Sequence, residues 1–178
     1  MSIHELPPSI VEFGGKSYRL TASFDRVLTA FDIMEDETLP SALRVSEALS
    51  VLVRKRRFRQ LPASPDFLEA VFGVLANGNK KEPGGKRAID LKQDAAYIYA
   101  AFRQAYGIDL DKERGRLHWC RIVDLLHSLP DDTRMAQIME IRLRPMPKVT
   151  KYNAEERAWL SQQKARFAIR GEQTEEQG

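Results

Sequence analysis

A mostly α-helical (all-α) fold with a short N-terminal β-hairpin is predicted for this chain by three features of its sequence. After residue 21, apolar residues recur at the three- and four-residue spacing of a helix face. Ser, Thr, Asn or Pro precedes several of these segments, and Gly or Pro follows them, as at helix ends. Only one short region has the composition of paired strands. We therefore expect a helical bundle of about six to seven helices.

The first four elements are indicated by turn and cap residues. "SIVEF" and "KSYRL" flank the pair Gly14-Gly15, which is typical of a hairpin turn. The first helix has an apolar face made of Phe24, Val27, Leu28 and Phe31. A second helix begins at Pro40, and a third begins with Ser64 as its cap and Pro65 in its first turn. Gly78 is the predicted end of the third helix.

The later helices are bounded in the same way. A fourth helix has Asp90 as its cap and ends at Gly107. A fifth runs from about Glu113 to Leu129 and stops before Pro130, and Thr133 caps a sixth. The last helix extends to about Arg170, with Asn153 and Glu156 at the spacing of a capping box.

A break in helical periodicity separates the chain into parts. "NGNKKEPGGKR", at residues 77 to 87, combines three glycines, a proline and charges, and it predicts a mobile loop or a link between domains. The predicted divisions are an N-terminal hairpin segment (1–21), an N-terminal helical part (22–78), a flexible loop (79–88), a C-terminal helical part (89–145), and a last helix with a disordered tail (146–178).

Composition limits the classes of protein to which the chain can belong. The formal net charge is +3, from 28 basic and 25 acidic side chains, so attraction to nucleic acid would need clustering. A single cysteine excludes an internal disulfide framework and fits a reducing compartment. The N-terminus lacks a basic stretch followed by an apolar one, and no apolar run approaches the ~20 residues needed to span a bilayer. We expect a cytoplasmic protein without a membrane partner.

"LHWCRIVDLLHSLP", at residues 117 to 130, gathers chemically reactive residue types on one helix. Cys120 and His127 are seven positions apart, ~10 Å along a helix, whereas a nucleophile–base pair needs ~3 Å. His118 and Cys120 diverge, which also disfavours a shared metal site. We find no nucleophile–base pair, metal spacing or phosphate loop, so we expect a non-enzymatic protein without a cofactor or metal. The predicted core residues here and in the preceding helix are Ile98, Phe102, Trp119, Ile122, Leu126 and Leu129.

A second conspicuous segment, "RKRRFR", carries five cations in six positions. They are Arg54, Lys55, Arg56, Arg57 and Arg59. This basic patch has two interpretations: contact with phosphate or with an acidic protein surface, or a solvated helix end at which cations complement the negative end of the helix dipole. Nucleic acid is the less favoured of the two partners.

The second half of the chain resembles a phage family. "IDLKQDAAYIYAAFRQAYGIDL" and "LHWCRIVDLLHSLPDDTRMAQIMEIR" are similar to the bacteriophage gene-product-fifteen family of siphophage and prophage tail gene clusters in Gram-positive bacteria. The resemblance runs most plainly from Ala88 to Arg142. Cys120 stands where that pattern often has a second aromatic residue, which fits a packing position.

The resemblance implies a tail assembly protein encoded beside the tape-measure gene and acting in the host bacterial cytoplasm. Such a protein would act as a chaperone of the tape-measure protein or of tail-tube subunits by helix-in-groove packing, with self-association as a further option. The candidate partner-binding residues are Tyr99, Tyr106, Met135, Met139, Trp159 and Phe167. The alternative is a nucleic-acid-associated phage structural or packaging protein that uses the basic patch.

Overall fold

The computed structural model describes residues 7–54, 61–76 and 87–170, and within these ranges the chain forms seven helices and one hairpin. The strands are β1 (Ile10–Phe13) and β2 (Lys16–Arg19); the helices are α1 (Phe24–Glu35), α2 (Ser41–Leu52), α3 (Pro65–Leu75), α4 (Ala95–Tyr106), α5 (Trp119–His127), α6 (Arg134–Leu143) and α7 (Ala154–Arg166). The predicted mostly helical fold with an N-terminal hairpin is confirmed. None of the described helices is long and apolar enough to cross a bilayer.

The hairpin turns where the sequence predicts. β1 and β2 pair antiparallel, with Phe13 opposite Lys16, and the two glycines between them have positive φ angles of 56° and 69°. Glycine adopts this conformation at little cost, which explains the two-residue turn. The hairpin packs on α3, where the rings of Phe13 and Tyr18 lie 4.9 and 4.7 Å from the ring of Phe67.

The chain folds into two compact units, and each unit consists of two separate segments of the chain. The first unit contains residues 1–80 and 111–127, and the second contains residues 81–110 and 128–178. These units do not coincide with the ranges predicted from the sequence, because residues 111–127 belong with the N-terminal part. The predicted flexible loop lies almost wholly outside the described residues.

In the first unit, α5 is joined to the N-terminal helices by backbone pairing and by aromatic packing. Ser23 and His118 form an isolated antiparallel bridge, in which the Trp119 amide donates to the Ala22 carbonyl at 2.8 Å. The Trp119 ring meets the ring of Phe31 edge-on, with centroids 5.7 Å apart. The main apolar core of this unit draws on the hairpin and on α1, α2 and α3.

In the second unit, α6 packs against both α4 and α7. The buried apolar side chains of this unit are Ile98, Ala101, Phe102, Met135, Ile138, Leu160, Phe167 and Ile169. Two predicted caps function here as expected: Thr133 accepts a hydrogen bond from the Ala136 amide at the start of α6, and Gly107, at φ 66°, ends α4.

Two predicted helix starts are wrong. α4 begins at Ala95, because the Asp90 carboxylate instead accepts hydrogen bonds from the Lys92 and Gln93 amides and caps a separate turn. α5 begins at Trp119 rather than near Glu113. Gly115 has a φ of 72°, which interrupts a helix, and its amide donates to the Asp25 carboxylate at 2.8 Å.

The predicted capping box of the last helix is also absent. The Asn153 side chain makes no capping bond; it accepts from the Thr150 amide and donates to the Lys148 carbonyl. Glu156 pairs with Arg144 at 2.8 Å. α7 ends at Arg166 rather than near Arg170, and the four residues after it continue without helical structure.

Candidate partner-binding surface

A buried ion pair organises the second unit. The Arg142 guanidinium contacts the Asp94 carboxylate through two nitrogen–oxygen pairs, at 2.5 and 2.8 Å, and the two side chains are 7% and 2% exposed. The same carboxylate accepts a hydrogen bond from the Asp90 amide. Burying two charges is costly unless they are paired and their remaining hydrogen-bonding positions are used, as they are here. The pair fixes the end of α6 against the start of α4.

Arg142 also holds the residues that follow α7. Its Nε atom donates to the Phe167 carbonyl at 2.7 Å, and one of its terminal nitrogens donates to the Ala88 carbonyl. Gln93 adds two bonds to the same segment: its amide group donates to the Ala168 carbonyl at 2.8 Å and accepts from the Arg170 amide at 3.0 Å. Residues 167–170 are therefore held by their backbone.

Two of the predicted partner-binding residues lie inside this arrangement. Phe167 is buried, and the guanidinium of Arg134 lies 5.1 Å from the centre of its ring. Met135 is fully buried in the first turn of α6. Both side chains fill the interior because they lie on the faces of the chain that pack within the second unit, so neither is available to a partner in this structure.

The remaining candidates from α4 and α6 lie at or near the surface. Tyr99 is exposed, and its hydroxyl donates a hydrogen bond to the Asp109 carboxylate of the same unit at 3.2 Å. Tyr106 is half-buried beside Phe102, with ring centroids 5.7 Å apart, and burial raises the pKa of its hydroxyl. Met139 is half-buried.

Large apolar side chains are exposed between the end of α6 and the middle of α7. Leu143 is 47% exposed, Val149 80%, Tyr152 91% and Trp159 50%. The ion pair of Arg144 with Glu156 and a hydrogen bond from Arg157 to the Pro147 carbonyl bring this part of the chain against the first turn of α7. We call residues 143–159 the exposed apolar segment; of the predicted partner residues, Trp159 lies in it.

The exposed apolar segment lies in the most basic part of the described chain. From Arg134 to Arg170 there are nine Lys or Arg residues and three Glu residues, a surplus of six positive charges in a chain whose net charge is +3. Lys148 and Lys151, both exposed, flank Val149 and precede Tyr152. A surface that alternates cations with apolar groups complements a partner with acidic and apolar side chains.

The basic patch predicted from the sequence falls mostly outside the described residues, since only Arg54 belongs to them. α2 ends at Leu52, the backbone is extended at Val53, and the Arg54 amide donates to the Arg19 carbonyl at 2.8 Å. Arg54 is therefore not in the last turn of a helix, which removes the helix-dipole interpretation for this residue.

The reactive residue types of α5 are used in packing and capping. Cys120 is buried, its sulfur donates to the Leu75 carbonyl at 3.4 Å, and burial raises the pKa of the thiol. Of the predicted core residues, Ile98, Phe102, Ile122 and Leu126 are buried, whereas Trp119 and Leu129 are partly exposed.

His118 acts as a cap for α5. Its Nδ1 atom accepts a hydrogen bond from the Cys120 amide at 3.2 Å, which requires an unprotonated Nδ1. Burial lowers the pKa of His118, Arg121 contributes in the same direction, and the Pro8 carbonyl acts in the opposite one. The Nε2 atom is buried and makes no hydrogen bond of ordinary geometry with the described residues.

Sequence reasoning missed Val149 and Tyr152, which are the most exposed large apolar residues in the described part of the chain. A signal was present, since "RPMPKVTKYN" has two prolines and no helical period, and side chains in such a connection have no core to enter. Asp94 and Arg142 were recognised as parts of the family resemblance, but their pairing was not anticipated, because 48 positions separate them.

The comparisons with known proteins agree with the resemblance seen in the sequence. The family model described as "Bacteriophage Gp15 protein" matches residues 3–169, a range that includes parts of both units and the exposed apolar segment. No curated protein and no solved structure matches the chain. The family model supports a phage structural or assembly protein. The match spans more than half of the chain, and the protein therefore belongs to the bacteriophage Gp15 protein family.

Proposed function

We propose that this protein is a non-enzymatic tail assembly chaperone that binds the tape-measure protein or the tail-tube subunits of its phage. The exposed apolar segment is the observation that carries the proposal. Tyr152 and Trp159 are the residue types that most often dominate the binding energy of protein interfaces. Exposing them to water has no benefit for a chain acting alone, whereas a partner's apolar surface would cover them.

The chemistry of the segment suits reversible binding to a long helical client. A tape-measure protein exposes apolar helix faces until tube subunits surround it, so a chaperone must cover these faces and later release them. Leu143, Val149 and Tyr152 can each make a moderate apolar contact, so that binding at any one place is weak and can be repeated along the client. The surplus of positive charge around the segment favours clients whose helices also carry acidic residues.

Co-expression with the tape-measure protein or the tail-tube protein tests this proposal. We expect the client to become soluble and to co-purify with the wild-type chain. The double substitution Tyr152→Ser with Trp159→Ser removes two exposed anchors and should weaken binding by about ten-fold or more. Because both side chains are exposed, the variant should unfold at nearly the same temperature as the wild type.

Tyr97→Ser is the matched control, since Tyr97 is an exposed tyrosine of the same unit but lies on α4. Equal client binding by the wild type and the double variant would contradict the proposal. Retention of the purified protein on DNA, falling steeply with salt and unaffected by the double variant, would support the nucleic-acid alternative instead.

A further inference from the structure

The last part of the described chain forms an arm that is attached at few points. We define the C-terminal arm as residues 154–170, which comprise α7 and the segment after it, and the connector as residues 144–153. Among the thirteen residues of α7 only Leu160 is buried, and the other buried anchors of the arm are Phe167 and Ile169. These last two alternate with exposed residues, so their side chains enter the second unit together.

We call the surface of the second unit around Gln93 and Arg142, on which the arm lies, the groove; it holds the arm through buried apolar side chains and through hydrogen bonds to the backbone of the arm. Gln93 and Arg142 together make three hydrogen bonds to backbone atoms of residues 167–170. Lys164 adds a bond from the arm to the Arg142 carbonyl at 3.1 Å. None of these contacts depends on the connector, so an identical arm arriving from another molecule would make all of them.

We propose that the groove also accepts the C-terminal arm of a second copy, so that two chains form a dimer by exchanging their arms. The occupant is defined by the structure itself, because the arm already seated there has the side chains and the backbone that the groove binds. Exchange of an identical element retains every contact between arm and groove, and it is a low-cost route to dimers.

Contacts that exist only when the chain folds back on itself set the balance between the two forms. The Asn153 side chain closes a tight turn in the connector through its bonds with Lys148 and Thr150. Arg157 adds a bond from the arm to the Pro147 carbonyl. An exchanged dimer would open this turn and lose these three bonds, while the ion pair of Arg144 with Glu156 would re-form between chains.

The connector is suited to an open conformation. It contains Pro145 and Pro147, and the residue before each proline favours extended backbone. When residues 145–152 are extended, they span roughly 27 Å at about 3.3 to 3.6 Å per residue, enough to carry the arm to a neighbouring molecule. The exchanged dimer would carry two exposed apolar segments. The inference does not depend on the proposed function.

The first test removes the contacts of the closed turn. The double variant Asn153→Ala with Arg157→Met keeps the groove intact and should lower the dissociation constant of the dimer by at least about ten-fold, because each chain loses bonds that only the monomer makes. Sedimentation or light scattering over a range of concentrations measures this constant. Thr150→Ala is the matched control, since it leaves both bonds of the Asn153 side chain in place.

A second test locates the arm. With Arg144→Cys and Glu156→Cys, which leave the bonds of Gln93 and Arg142 in place, a short bismaleimide joins the end of α6 to the arm, and a denaturing gel shows whether one chain or two have been linked. We expect linkage within one chain at low concentration and between two chains after concentration or refolding at high concentration. Linkage within single chains at every concentration, or a dissociation constant unchanged by the double variant, would overturn the inference. If the double variant fails to fold, the cross-linking result decides alone.

Discussion

Replacing Arg142 by alanine should destabilise the second unit far more than removal of an exposed arginine. The substitution removes two contacts to the Asp94 carboxylate and the hydrogen bonds to the carbonyls of Ala88 and Phe167. The Asp94 carboxylate would stay buried without its counter-ion. Of the contacts described above, it would keep only the hydrogen bond from the Asp90 amide. Breaking a buried ion pair in this way costs about 3 to 5 kcal/mol.

Arg144→Ala is the matched control, because Arg144 also pairs with a carboxylate but both side chains are more than 40% exposed. The expected cost there is only about 0 to 1 kcal/mol. The assay is urea unfolding monitored by tryptophan fluorescence in a Trp119→Phe background, so that Trp159 reports on the second unit. With a slope of about 2 kcal/mol per molar urea, Arg142→Ala should lower the midpoint by roughly 2 M.

The double variant Arg142→Met with Asp94→Asn separates the charge effect from the loss of packing. Since it leaves no uncompensated charge, it should lose less stability than the sum of its two single variants. The reasoning fails if Arg142→Ala and Arg144→Ala shift the urea midpoint equally, because the buried pair would then contribute no more than a surface one.

Three further predictions concern single residues. The first unit should lose stability as the pH falls below about 6.5, because the lowered pKa of His118 means that the unfolded chain takes up a proton at a higher pH than the folded chain. Urea midpoints measured by Trp119 fluorescence should therefore fall between pH 7.5 and pH 5.5. His118→Gln should reduce this dependence of the midpoint on pH. Thr133→Ala removes the cap of α6 and should cost about 1 kcal/mol, whereas Thr133→Ser should cost less; equal losses in urea unfolding would contradict the capping role. Gly107→Ala forces a side chain into left-handed backbone and should lower the unfolding free energy by about 1 kcal/mol, and an unchanged value would refute the strain argument.

The parts of the fold that the sequence predicts well are those set by local chemistry. Gly14 and Gly15 define the hairpin turn, and Ser64 caps α3 by accepting a hydrogen bond from the Phe67 amide, three residues away. The start of α5 depends on a distant contact: the bond from Gly115 to Asp25 joins residues 90 positions apart, which no local pattern reveals.

The candidate surface was only partly predictable for the same reason. Trp159 is one of the predicted partner-binding residues, and it is exposed. Phe167 is predicted as well but is buried, because Gln93 and Arg142 hold the backbone that follows the helix. Those contacts join residues far apart in the chain, so periodicity within a single helix contains no information about them.

The return of residues 111–127 to the first unit has a consequence for how the protein is made. During translation the hairpin and the first three helices emerge well before α5, yet the bridge between Ser23 and His118 needs both. The ribosome must therefore produce the whole segment from 81 to 110 before the N-terminal unit can close. A fragment ending at residue 80 would lack the Trp119 ring that packs on Phe31, and we expect it to be trapped in an incomplete, aggregation-prone state.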